Sequence, residues 1–576
     1  MKPVHVLFLA AVTLTPYIEA QGGQYLGPGL RPAPLPPGAA RGRPNRPAGQ
    51  GVTVAAKIDA TRWESWWAYN REDLLPPRGL AEDAEPGSTN ASGMRVPTPA
   101  ETRARVLPVL RAALEDRGSD VRAAACVALG RNADPKDIPL LVARLEDRDR
   151  KVVEAALTGL GYCRHPDADA ALVKALGAEG RTAKERGLAL LALGLSGGEA
   201  AKAVLVDGLS DELARDRGAA ARAGHADACR ILAAGLWSRG DLGDETRAPL
   251  VSEAIRGAHA VVPASDEILR VHAFLGLAKV RDASTRGYAA GFLKDPVAGV
   301  RGAAATVLGR TTPGDDVANA TLLVAAAGRE PTAEPRHAMT IALGRLAART
   351  GPGADAAWAA LLKESKEQDR QHRAFALIAL GLSKRAASHA ILRAAFTEAR
   401  DEIVRGAAAV GLGIAGDRDA WPMIKEKLEK KGNPFLTCHL LNWVALTRHP
   451  EGLATAAKFL TESRDPDVVA TAALTVGIGG AADSGTALTA LLAKTSVPEI
   501  RSATATAVGR LGDRRQVEPL IAAVDASKGK EETKAALVAA LGLLVAKPPI
   551  LLDERAVIDA DAGIRIEAID YLLDLL

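Results

Sequence analysis

The chain has 576 residues, 48% apolar and 25% charged, a balance that fits a globular protein and excludes a disordered one. Aromatic residues are only 3% and Ala is about a fifth of the chain, so the core is built from Ala, Leu and Val and an all-helical fold is favoured. Four Cys exclude a disulfide framework. The whole net charge of +4 falls in residues 21–60, leaving a neutral body that argues against nucleic acid as a partner.

Residues 1–20 read as a secretory signal peptide. Lys2 precedes an apolar run from Val4 to Leu14, and Ile18-Glu19-Ala20 closes the segment, with cleavage expected after Ala20. The run is too short to span a bilayer, which takes ~20 apolar residues, so no membrane insertion is expected after cleavage. Residues 21–58 form a Pro/Gly/Arg-rich linker, as in Arg31-Pro-Ala-Pro-Leu-Pro-Pro37. Residues 59–75 form a Trp-rich helix, with Asp59 or Thr61 as its cap. Trp63, Trp66, Trp67 and Asn70 fall on one face at i, i+3, i+4 and i+7. Residues 76–98 return to Pro, Gly, Ser and Asn, a second linker. The Trp face is expected to dock on the first repeat as a cap; Trp63, Trp66 and Trp67 are otherwise the candidate partner-binding residues.

From residue 99 to 576 the chain repeats itself. Copies include Asp120-Val-Arg-Ala-Ala-Ala-Cys-Val-Ala-Leu-Gly130 and Val300-Arg-Gly-Ala-Ala-Ala-Thr-Val-Leu-Gly309. Two more are Ile403-Val-Arg-Gly-Ala-Ala-Ala-Val-Gly-Leu-Gly413 and Ile500-Arg-Ser-Ala-Thr-Ala-Thr-Ala-Val-Gly509. The position of Arg122 recurs as Arg186, Arg230, Arg270, Arg301, Arg336, Arg373, Arg405, Arg501 and Arg565, with Lys534 filling it once. Glu154, His439 and Val469 mark weaker copies, which gives about fourteen units and the fixed period of a solenoid. Each unit reads as two antiparallel helices joined by an Asp-containing turn such as Asp147-Arg-Asp149 or Asp465-Pro-Asp467. These Asp cap the second helix, and the terminal Gly is expected to stop it in a left-handed conformation. Ala predominates in the second helix because stacked hairpins need close backbone approach.

The motif Asp-x-x-Val-Arg-x-Ala-Ala-x-x-Ala-Leu-Gly resembles the HEAT-repeat family, specifically its short bacterial phycobilisome-lyase-like form. The resemblance covers over four-fifths of the chain. The Trp helix ahead of the repeats is similar to the N-terminal segment of exported planctomycete-type HEAT proteins. The fold expected is all-α: a right-handed α-solenoid, or superhelix, of about fourteen stacked helical hairpins, armadillo-like in plan. The recurring Arg reads as a structural ladder, each reaching the capping Asp or a carbonyl of its neighbour. Its members are Arg122, Arg186, Arg270, Arg301, Arg373, Arg405, Arg501 and Arg565.

Motifs that look catalytic fall in the wrong context. Gly194-Leu-Ser-Gly-Gly198 matches a nucleophile elbow, but it follows a repeat helix and not a strand, so Ser196 is no nucleophile. Gly411-Leu-Gly-Ile-Ala-Gly416 matches the dinucleotide fingerprint and also ends a repeat helix. His165 and His449 sit in Arg-His-Pro turns. His272, His337, His372 and His439, on separate units, are too spread to share a metal. Cys126 and Cys163 lie in adjoining units, and the sequence leaves open whether they pair. Between about residues 195 and 270 the register breaks, which suggests a functional loop region.

The sequence assigns no catalytic residue, no cofactor and no metal. It points to an exported monomer, periplasmic or extracellular, that binds another protein on the solenoid surface and acts as a scaffold. Two alternatives stand beside this. One is a structural component of a cell-envelope or extracellular assembly. The other, implied by the family resemblance, is a lyase-like enzyme related to the bilin lyases.

Overall fold

A computed structural model describes residues 61–75, 96–198 and 285–546, apart from residues 133, 311–315, 431 and 481–483. Isolated positions between 200 and 278 are also described. The described residues are helical, without a strand. The first helix, α1, is Trp63–Leu74. Eleven hairpins follow. They are α2 (Pro99–Ala113) with α3 (Ser119–Asn132), α4 (Ile138–Ala143) with α5 (Arg150–Cys163), and α6 (Pro166–Gly177) with α7 (Ala183–Ser196). Beyond the undescribed segment come α8 (Thr285–Gly291) with α9 (Ala298–Arg310), α10 (Asp316–Ala327) with α11 (Ala333–Ala347), and α12 (Pro352–Glu364) with α13 (Arg370–Leu382). Then come α14 (Ala386–Glu398) with α15 (Glu402–Ala415), α16 (Trp421–Glu429) with α17 (Pro434–Thr447), and α18 (Pro450–Glu462) with α19 (Pro466–Gly479). The array ends in α20 (Ser484–Lys494) with α21 (Pro498–Leu511), and α22 (Val517–Ala526) with α23 (Glu531–Val545). The architecture is an α-solenoid, in which successive second helices among the described residues pack on one another.

Local chemistry explains the boundaries. Asp149 accepts a hydrogen bond from the Lys151 amide at the start of α5, and Asp465 from the amides of Asp467 and Val468 at the start of α19. Asp369 and Asp401 do the same for α13 and α15. Arg164 and Arg448 take left-handed conformations that end α5 and α17, and His165 and His449 then start α6 and α18 ahead of a proline.

The glycine of the Leu-Gly motif does a different job from the one expected. Gly130, Gly309, Gly344 and Gly413 lie inside their helices, and none has positive φ. The left-handed stops fall three residues later, at Gly416 and Gly512, with φ of 76° and 67°. The motif glycine is the twelfth residue of its helix and meets the tenth residue of the next second helix. A Cβ on Gly130 would stand 2.2 Å from the Gly159 carbonyl oxygen, and one on Gly309 would stand 2.8 Å from the Ala342 Cα. Gly344 against Ala379 and Gly477 against Ala507 repeat this contact. The second helices therefore touch backbone to backbone and form the inner, more tightly spaced layer. The first helices form the outer one.

The array returns on itself. Helix α23 packs against α3, and the contact has the register of every other step: a Cβ on Gly542, twelfth in α23, would stand 2.3 Å from the Cβ of Ala128, tenth in α3. The outer layer closes as well, where Arg105 of α2 donates twice to Glu518 of α22, at 2.7 and 2.8 Å. The Asn132 amide donates to the Gly542 carbonyl at 3.2 Å, and the Asp120 N–H to Glu531 at 3.0 Å. One apolar cluster runs from Val106 to Leu544 through both sides of this seam.

Charged pairs reinforce the steps. Arg122, fourth in α3, holds Asp147 in the turn before α5 with two bonds of 2.9 and 2.8 Å, and donates to the Asp116 and Arg117 carbonyls of its own turn. Arg301, fourth in α9, grips Glu330 before α11 at 2.6 and 2.7 Å. Lys534, fourth in α23, ion-pairs with Asp116 in the turn before α3, the same relation carried across the seam. Arg501 pairs with Glu532. Arg405 stays within its own repeat, on the Phe396 and Ala399 carbonyls and Glu402. Arg186 is exposed, and Arg373 Nε has no hydrogen-bond partner among the described residues. Arg230, Arg270 and Arg565, with the region of broken register, lie outside the described residues.

Valine at a motif glycine must overpack a backbone contact, whereas Gly177, at the end of α6, has open space around it. Gly309→Val should therefore cost about 1–3 kcal/mol. Gly177→Ala should be neutral or stabilise by up to ~1 kcal/mol. Denaturant unfolding of the two variants beside the parent chain checks this.

Candidate functional site

Helix α1 lies inside the solenoid, against the inner layer. Its three tryptophans are buried, with Trp63 0%, Trp66 6% and Trp67 2% exposed. They pack in one cluster with Ile341 of α11, Ala374, Phe375 and Ile378 of α13, and Ala407, Val410 and Ile414 of α15. The Trp63 ring also lies 4.6 Å from the His439 ring of α17, which Phe435 meets edge-on from the other side. At the far end of α1, Leu75 packs with Ala445 of α17 and Ile478 of α19. Both sequence expectations for this helix are thereby corrected. It does not cap the first repeat, and the Trp face is not open to a separate partner in this arrangement. The helix is also shorter than expected: Arg62 is its N-cap, without a side-chain bond to the free amides, and Asp59 lies outside the described residues.

The groove is written into the repeats at two positions. The ninth residue of the second helix is Ile341, Ile378 and Val410 in α11, α13 and α15. The thirteenth is Leu382, Ile414, Leu446 and Ile478 in α13 to α19. In the flanking helices α9 and α21 these positions are Thr306 and Thr506, and Arg310 and Arg510. At these positions the ridge that receives α1 is mostly apolar, with Arg345 in α11 and Asn442 in α17 as exceptions, while α9 and α21 on its borders carry only Thr and Arg there.

Polar bonds tie the start of α1 to the wall and to its own cap. The Trp63 N–H donates to the Gln371 side-chain oxygen at 3.1 Å, and the Gln371 amide nitrogen lies 3.5 Å from Glu64. Glu64 also pairs with Arg62 at 3.2 Å. Trp63 Nε1, Trp67 Nε1, Ser65 Oγ and His439 Nε2 are buried without a hydrogen-bond partner among the described residues.

Burial dominates the titration of this wall. It pushes the His439 imidazole down to about 3 and His372 to about 4. It pushes the Glu364 carboxyl up to about 7, against the opposing pull of Thr340 and Arg336. Glu364 lies 2.9 Å from the Thr340 hydroxyl and 3.7 Å from His372 Nε2. His372 stacks on His337, which in turn stacks on Phe375. The glycine contact fixes Thr437 as the ladder position in α17, so His439 stands two residues beyond it and meets α1 instead.

The remaining sequence candidates are placed as follows. Ser196 ends α7, buried, and donates to Asp169, whose carboxyl is raised by burial; no imidazole among the described residues is bonded to Ser196. Gly411 and Gly413 lie inside α15, and Gly416 stops it. Cys126 and Cys163 are free and buried, so the bridge left open by the sequence is not formed. Burial raises both thiols, Cys163 to about 12. Among the described residues no three His, Cys, Asp or Glu side chains converge as metal ligands, and no helix is long and apolar enough to cross a membrane.

Residues 100–158 match the family model of HEAT repeats. No curated protein matches the chain. Among solved structures, an engineered protein is 16% identical, with 70% of this chain and 98% of that one covered and a TM-score of 0.27. Human deoxyhypusine hydroxylase in complex with glycerol is 16% identical, with 49% and 96% covered and a TM-score of 0.20. Kap121p is 12% identical, with a TM-score of 0.33; 75% of this chain matches about half, 55%, of that one. At such scores none of the three bears on function.

His439 is neutral in the folded chain and takes a proton near pH 6.5 once unfolded. Its contribution is complete above that value and is lost as pH falls toward 3. The stability difference between the parent chain and His439→Gln should be largest above pH 7 and shrink on acidification to pH 5. A difference that does not vary with pH contradicts a buried neutral imidazole. Trp67→Ala should cost about 3–5 kcal/mol in the same unfolding assay.

Proposed function

We propose that the protein is an exported, non-catalytic scaffold that binds another protein through the inner face of its HEAT-like solenoid. One observation carries this reading: that face already seats an amphipathic helix, in a groove of apolar residues bordered by Thr and Arg. Helix-in-groove recognition uses this geometry, with anchors at i, i+3 and i+4 lying on an apolar strip. Export is supported by the apolar run Val4–Leu14 behind Lys2 and by Ala20. Among HEAT families, the short bacterial phycobilisome-lyase-like form fits the repeat length best, and the planctomycete-type exported proteins fit the leading Trp helix.

The test is affinity capture from the exported fraction of the native cell, with residues 21–576 as bait and its solution mass measured in parallel. The expected result is a monomer that retains one defined partner at a fixed stoichiometry. Self-association with no second protein retained contradicts the scaffold reading and favours a structural assembly.

A further inference from the structure

The generic step of the array does not tell one second helix from another. Glycine at the twelfth position over a small residue at the tenth recurs along the chain, and the seam uses it too, with Gly542 over Ala128. What sets the seam apart is the start of α3. Asp149, Thr182, Asp369, Asp401, Asn433 and Asp465 each cap their own second helix through a side-chain oxygen. The same position before α3 is Gly118, which has no side chain to offer. The Asp120 amide is satisfied from across the seam instead, by the Glu531 carboxylate at 3.0 Å. Gly118 does not have positive φ, so its backbone does not call for glycine. The room does: a Cβ there would stand 2.4 Å from Glu531 Cδ.

The order of charges is reversed as well. Glu531 is the first residue of α23. The first residues of α5 and α13 are Arg150 and Arg370, and each faces an acid at the start of the next second helix. Arg150 pairs with Glu185 at 2.9 Å, and Arg370 lies 3.6 Å from Asp401. At the seam the acid is on α23, and the helix it meets has none at the cap. The neighbouring charges are paired in other directions: Asp120 with Lys151, Asp116 with Lys534 and Glu532 with Arg501. The sequence runs on past α23 to a further ladder position, Arg565. Four residues before it, where Gly118 stands before Arg122, is Asp561, outside the described residues.

We propose that Glu531 and Gly118 form a key that selects α3 as the neighbour of α23. Apolar contact supplies the hold and the key supplies the choice. A helix with an empty cap position receives Glu531 as its cap, an anion on a helix N-terminus. A helix with its own acid there meets Glu531 with like charge. The unit that follows in sequence falls in the second class through Asp561, so the key favours closure over extension of the array. The inference concerns the two ends of the array and stands whether or not the inner face binds a partner.

The test is amide hydrogen exchange of residues 21–576 at low ionic strength, read by mass spectrometry on the far side of the seam from each substitution. Gly118→Asp is read on peptides of α23, and Glu531→Arg on peptides of α3. The expected result is exchange roughly fivefold faster on the far side in each single variant. The double variant Gly118→Asp with Glu531→Arg, which rebuilds the arrangement of Arg370 and Asp401, should return it to the parent rate. Parent-like exchange on the far side in either single variant, or a double variant no slower than the singles, overturns the proposal. Helix content is checked first by circular dichroism. If a single variant loses it, Glu531→Ala, read on α3, takes its place: faster exchange in α3 supports the key, and the parent rate overturns it.

Discussion

The close contact at the twelfth residue of most second helices, a glycine in all but α17, is the constraint on which the rest depends. At Gly130, Gly309, Gly344 and Gly477 a Cβ would stand within 2.8 Å of the next helix. That spacing makes the second helices the tighter layer and the first helices the looser one, so each repeat turns the array the same way. Repeated over the described hairpins, the turn brings α23 to α3 in the register of an ordinary step, with Gly542 over Ala128. An open solenoid needs polar caps at both ends. Here each end covers the other, which is why the Trp helix is not needed as a cap.

Closure also gives the charged ladder its sense. Asp147 serves Arg122 from the turn before α5, and Asp116 serves Lys534 from the turn before α3. The buried pair of Arg122 and Asp147 is bidentate and fixes register, while the exposed Arg105 and Glu518 pair adds little stability. Freed from capping, α1 settles on the inner wall where Ile, Val and Leu replace the Thr and Arg of the flanking helices. The wall that closes the array and the wall that receives a helix are one surface, read at different positions along the same helices.

Much of the fold was legible in the sequence because its cause is local. The Asp of Asp147-Arg-Asp149 caps the helix that follows, and the Ala-rich second helices with Arg122, Arg301 and Arg501 at one position mark the period. The role of the Leu-Gly glycine was misread, because a helix stop and a close helix contact leave the same residue in the sequence. Closure was not legible, since it depends on a small angle summed over many repeats, although Lys534 at the ladder position held the clue. The site was half legible. The face Trp63, Trp66 and Trp67 follows from spacing, but its seat lies some 300 residues away, at Gln371 and beyond. The ninth and thirteenth positions are apolar in α7 and α23 too, so the pattern alone does not single out this groove.

The closed array is tested most directly by zero-length carbodiimide coupling, which joins an amine to a carboxylate only where the two touch. The account predicts a link between Lys534 and Asp116 in the monomeric protein, found by mass spectrometry as a junction between peptides 418 residues apart in the chain. The local pair of Lys430 and Glu426, at 2.6 Å, is the internal control. A sample in which the control link forms and the seam link does not would contradict closure, and with it the assignment of the second helices to the inner wall.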